Sequence, residues 1–143
     1  MNNRLAPATC DAREIDYRTP MRLHLDSHPT ANLVTHLGPE GIRVGDRQIS
    51  RSLILSASDL VEDWPVDDPA ALSLESLAPA LELSPGILVL GTGERARFPD
   101  AALFAALGQR GIGLEVMDTA AACRTYNVLV GEDRPVVAAL ILP

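Results

Sequence analysis

Along the middle of the chain, apolar residues come in short groups separated by turn residues. Leu33, Val34 and Leu37 precede Gly38-Pro39-Glu40-Gly41; Ile42 and Val44 precede Gly45-Asp46; then come Ile49, Leu53, Ile54 and Leu55. This pattern predicts a meander of three short strands joined by glycine turns. Residues 58–71 are acidic and carry Pro65 and Pro69, which predicts a loop. Leu74, Leu77, Ala78 and Leu81 have helical spacing, but Pro79 is expected to limit that element to a turn or two.

The second half has a clearer pattern. Ile87-Leu88-Val89-Leu90 is wholly apolar between Pro85-Gly86 and Gly91, as a strand buried on both faces would be. Pro99 and Asp100 open a helix through Arg110, with Leu103, Phe104 and Leu107 inward and Gly111 as its stop. A strand follows at Leu114–Met117. Asp118 and Thr119 then cap a helix running to about Val130, which Gly131 ends, and Val136–Leu142 is a last apolar strand. Strand, helix, strand, helix, strand implies right-handed crossovers and at least one parallel pair. Before Asn32 the pattern is loose. Pro7, Pro20 and Pro29 discourage a long helix, and only Met21–Asp26 alternates as an edge strand would. The expected organisation is an N-terminal extension over residues 1–31 and one domain over 32–143. The fold class is mixed α/β.

Composition narrows the partners. Hydrophobic residues make up 47% of the 143, enough for a core without disulfide staples. Net charge is −7, and Asp59, Glu62, Asp63, Asp67 and Asp68 fall together with no basic residue among them. Such a surface repels phosphate backbones, and the few aromatic residues offer no platform for stacking bases, so nucleic acid is not expected as a partner. All 12 basic residues are arginines, which removes lysine chemistry. Two distant cysteines, Cys10 and Cys123, make no disulfide framework and no zinc pair. No apolar stretch reaches the ~20 residues of a membrane helix, and the N-terminus has no signal-peptide pattern, so the expected location is the cytoplasm.

Candidate chemistry gathers at one edge. Gly91-Thr92-Gly93 follows one buried strand and Asp118-Thr119 the next; if the strands are parallel, both loops lie where open α/β sheets bind ligands. Both loops lead toward helix N-termini, whose N–H groups attract anions, and Arg95 and Arg97 stand nearby. Against this, Gly-Thr-Gly is no phosphate-loop motif, and two glycines also serve a tight turn and close packing. In the following helix Ala122, Tyr126, Leu129 and Val130 project together toward a core, beside a stripe of Ala120, Arg124 and Asn127. Arg124 and Asn127 can recognise a carboxylate or a backbone segment, or tie down neighbouring groups within the fold. Asp118 is expected to cap its helix rather than act as a base. Cys123 has no evident base. His24 and His28 have a metal-ligand spacing but no third ligand, so neither a catalytic group, a metal nor a cofactor is expected. Trp64, in the acidic loop, reads as an anchor folded onto the domain.

Leu90-Gly-Thr-Gly93, Pro99, Gly111-Ile-Gly-Leu-Glu-Val-Met-Asp-Thr119, Ala122-Cys-Arg-Thr-Tyr-Asn-Val-Leu129, Glu132 and Arg134 together resemble one family. It is the Mth938-like domain, shared by bacterial and archaeal proteins, the adipogenesis-associated domain protein and a mitochondrial complex I assembly factor. The resemblance runs from about Asn32 to Leu142. It implies a three-layer fold, with a central mixed sheet flanked by helices and a small added sheet. It implies no known reaction or cofactor. Two functions follow as expectations. One is a non-enzymatic interaction or assembly domain, monomeric or weakly dimeric, with a protein partner and a tie to respiratory complex assembly. The other is an anion-binding protein or weak enzyme using the crevice of Gly91, Thr92, Gly93, Asp118 and Thr119 with Arg124 and Asn127.

Overall fold

Strict alternation of two apolar sets in the last strand fixes the architecture. Val136, Ala138 and Leu140 face one core, while Val137, Ala139 and Ile141 face another, so this strand must be covered on both sides. The computed structural model describes residues 31–143, and the Met21–Asp26 strand lies outside them, as does the extension before Ala31. Eight strands and three α-helices are described: β1 (Val34–Gly38), β2 (Gly41–Val44), β3 (Arg47–Ile49), β4 (Leu53–Ser56), β5 (Leu60–Val61), α1 (Ala78–Leu81), β6 (Ile87–Thr92), α2 (Ala101–Gln109), β7 (Gly113–Met117), α3 (Thr119–Gly131) and β8 (Val136–Ile141).

The strands form two sheets. β1-β2-β3 is the expected antiparallel meander, and the central sheet runs β5-β4-β8-β6-β7. β6 is parallel to both β7 and β8, whereas β8 is antiparallel to β4, so the central sheet is mixed. The small sheet and α3 cover one face through Val34, Ile42, Val44, Ile49, Ala122, Tyr126 and Val130. Trp64, Val66, Leu77, Leu103 and Leu107 cover the other. Three layers result.

Several local expectations are corrected. The third strand of the meander is β3 alone; Leu53–Leu55 belong to β4, whose residues are buried on both faces and join the central sheet. The acidic stretch 58–71 contains β5, hydrogen-bonded back to β4, and a single 3-10 turn, Pro69–Ala71, capped by Asp68. The helix around Pro79 is as short as expected, the four residues of α1, but Pro79 lies in its first turn, where no N–H is needed, and so does not itself end it. α3 ends at Gly131 as expected, although the left-handed residue beyond it is Asp133 (φ 61°). Phe104 is half-buried and stacks on the exposed Phe98, with ring centroids 6.3 Å apart. Trp64 is buried as expected, and its Nε1–H donates to the Ser76 carbonyl at 2.7 Å.

Candidate functional site

β6 and β7 lie side by side in parallel, yet their following helices pass to opposite faces: α2 packs in the core of Trp64, and α3 in that of the small sheet. Adjacent strands whose connections diverge in this way leave a crevice beyond their carboxyl ends. The sequence expectation of parallel neighbours holds, and Gly91–Gly93 and Asp118–Thr119 meet at that edge.

The crevice is laced by its own threonines. Thr119 is wholly buried; its hydroxyl accepts the Gly93 N–H at 2.8 Å and donates to the Ile141 carbonyl. Its own N–H donates to the Gly93 carbonyl at 2.9 Å. Thr92, equally sheltered, accepts the Arg97 N–H at 2.9 Å and donates to the carbonyl of Arg95 at 2.6 Å, with that of Met117 at 3.3 Å. Asp118 caps α3 as expected, accepting the Ala121 N–H at 2.8 Å. The N–H groups of Gly93, Thr119 and Ala121, in the loop and at the helix start where an anion was expected to be attracted, therefore have partners inside the fold. Gly91 is glycine because α3 starts directly over it: a Cβ there would lie 3.0 Å from the Thr119 Cα and the Ala122 Cβ. Two cavities, of about 300 and 680 Å³, lie elsewhere, along Gln48–Arg51 with Glu62 and Asp63, and between Ala31, Asn32, Val44–Gln48 and Leu60.

Arg124 and Asn127 do not share one role at this edge. Asn127 stands eight residues along α3 from Thr119, about 12 Å at helical rise, and turns to the small sheet. Its Oδ1 accepts the Val34 N–H at 2.9 Å and its Nδ2 donates to the Val34 carbonyl at 2.8 Å. The side-chain amide thus acts as a ladder partner for the first residue of β1. Arg124 is half-buried, and its guanidinium favours the thiolate of its neighbour Cys123. Burial outweighs that effect, helped by the Asp118 charge, and pushes the Cys123 thiol up to about 12. At neutral pH this thiol stays protonated and is a poor nucleophile.

Sequence reasoning missed Asn32. Its carbonyl accepts the Tyr126 hydroxyl at 2.7 Å, and its Nδ2 donates to the carbonyls of Ser56 and Asp59. No periodicity marks a backbone acceptor 94 positions away from its donor. Among the described residues no group of three or more His, Cys, Asp or Glu is placed to hold a metal ion, and His24 and His28 lie outside them. No described helix is long and apolar enough to cross a membrane.

Comparison with known proteins agrees with this architecture. Residues 34–141 match the family described as "Protein of unknown function (DUF498/DUF598)". The "NADH dehydrogenase [ubiquinone] 1 alpha subcomplex assembly factor 3" of Xenopus tropicalis is 36% identical over 144 residues, covering 99% of this chain and 76% of that protein. A Bordetella parapertussis crystal structure superposes with a TM-score of 0.73 at 37% identity, over 78% of this chain and 96% of that one. A Bordetella pertussis solution structure, described as a Mth938-like domain, does so with a TM-score of 0.69 at 30% identity, over 77% and 85%.

Proposed function

The chain belongs to the DUF498/DUF598 family, and on that premise we propose that it is a non-enzymatic assembly domain that works by holding protein partners, in the manner its assembly-factor relatives are named for. The observation that carries this reading is the near end-to-end alignment, 99% of the chain, with a factor named for assembling NADH dehydrogenase. The site chemistry supports it. At the edge where an α/β sheet would bind a small ligand, Thr92 and Thr119 are spent on backbone groups, Asp118 on its helix, and Cys123 is protonated. These residues hold two loops and the last residue of β8 together and leave no proton-transfer group free among themselves. The domain acts in the cytoplasm as a monomer or weak dimer.

The topology of β6 and β7 favours one alternative, an anion-binding protein using Gly91, Thr92, Gly93, Asp118 and Thr119. Affinity purification of the tagged full chain with mass spectrometry separates the two, run beside a metabolite screen and cell fractionation. A specific partner among respiratory-complex subunits or assembly proteins is expected, with the protein in the soluble fraction. Recovery of no partner, together with a metabolite of micromolar affinity that moves the amides of 91–95 and 118–121, would overturn the assembly reading.

A further inference from the structure

β7 ends the five-stranded sheet among the described residues, so one of its edges has no strand beside it. The pairing with β6 tells which backbone groups face that edge. Gly113 donates its N–H to the Gly86 carbonyl, and the Met117 carbonyl faces the Thr92 hydroxyl. Backbone polar groups alternate sides along a strand. Those of Gly113, Glu115 and Met117 therefore point to β6, and those of Leu114 and Val116 point outward. The open edge presents two N–H and two C=O groups along about 17 Å of strand. The Leu114 and Val116 side chains lie half-buried on the α2 side, while Glu115 is exposed on the other side. Charged side chains, proline and bulges commonly guard such edges. β7 has neither proline nor a bulge, and its one charged side chain is Glu115.

We propose that the β7 edge is the docking surface of this domain, taking an extended segment of a partner protein as a sixth strand. The segment carries a basic side chain opposite Glu115 and apolar side chains beside Leu114 and Val116. This rests on the assembly reading above and adds the chemistry of the partner. Charge selects the occupant. Glu115, exposed and the only charge on β7, favours a basic side chain set opposite it. A second copy is disfavoured: antiparallel pairing over all five residues of β7 sets Glu115 opposite its own copy, and directly opposed like charges destabilise a ladder. An added strand also covers the apolar flanks of Leu114 and Val116 while pairing their backbone groups.

The test uses nitrogen-15-labelled full chain and two capped peptides, Thr-Val-Arg-Val-Thr and the same sequence with glutamate at its centre. The arginine peptide is expected to shift the Leu114 and Val116 amides, with the glutamate peptide binding at least ten-fold more weakly. Glu115→Arg should invert that preference. Val116→Pro removes an outward N–H and no internal one, a change edge strands tolerate, and should abolish the shifts. Shifts elsewhere only, or equal binding of the two peptides, would overturn the proposal. So would movement of the same amides on diluting the protein alone, which makes a second copy the occupant. If Val116→Pro fails to fold, the inversion by Glu115→Arg decides by itself. If folded Val116→Pro still recovers the affinity-purified partner, this surface is wrong while the assembly reading stands. Selective peptide binding by a chain that recovers no partner supports the edge and removes the assembly reading.

Discussion

Asn127 offers the sharpest check on how the two sheets are joined. It is 3% exposed, and both ends of its amide pair with Val34, the residue that opens β1. Asn127→Leu keeps the branched shape, with slightly bulkier methyls in place of O and NH2, and strands a buried N–H and a buried C=O. Each unsatisfied group costs about 1–3 kcal/mol, so the variant should lose about 3 kcal/mol, or about 6–12 °C in Tm for a chain of this size. Urea unfolding followed by the fluorescence of Trp64 measures this, because Trp64 is the sole tryptophan and only 2% exposed. Asn127→Asp adds a pH signature. The ionised carboxyl can accept from the Val34 N–H but sets a second oxygen against the Val34 carbonyl. The protonated form donates to that carbonyl, as the amide does. Its folded-state pKa is therefore raised above the unfolded value near 3.9. A raised folded pKa gives stability that is fully present below the unfolded value and lost as pH rises through the folded one. The gap between Asn127→Asp and wild type should thus be wide at pH 8 and narrow toward pH 4. A gap independent of pH, or an Asn127→Leu cost below about 1 kcal/mol, would refute the account of Asn127 as a ladder partner.

Four further outcomes are expected. Tyr126→Ala empties a fully buried site and should cost about 3–5 kcal/mol, whereas Tyr126→Phe loses only the bond to the Asn32 carbonyl, about 1–2 kcal/mol, both read as urea midpoints. Burial also raises the Tyr126 phenol above its ordinary range, so stability should fall above about pH 10, where only the unfolded phenol ionises readily. Thr119→Val should cost about 2–4 kcal/mol by leaving the Gly93 N–H and the Ile141 carbonyl unpaired, with amide exchange accelerating first at residues 91–93. In a Cys10→Ser background, Cys123 should resist aromatic disulfide reagents at pH 8 until urea is added, since its thiol is buried and pushed up to about 12; rapid labelling of folded protein would contradict this.

Periodicity determined much of this fold. The apolar runs at 87–90 and 136–142 read as strands, the first as one covered on both faces, and Asp100, Gly111 and Asp118 punctuate the helices where local backbone chemistry requires them. The parallel β6–β7 pair, and with it the meeting of Gly91–Gly93 and Asp118–Thr119, followed from the length and content of the crossover between them. What periodicity could not carry is pairing between distant segments. Leu53–Leu55 read as the end of the meander, because an apolar triplet does not say which sheet it enters; antiparallel pairing with β8 decided that. The residues at the sheet edge were found, but not their use. A threonine after a strand looks the same whether its hydroxyl faces a ligand or the Ile141 carbonyl 22 positions away. Asn127 likewise showed that it would recognise something, and only the packing of α3 beside β1 made that something the Val34 backbone. Local preferences act through a few neighbouring residues and are written in the chain. Hydrogen-bond partners are chosen by desolvation in a closed core, where each buried polar group must take whatever complementary group the fold brings within reach.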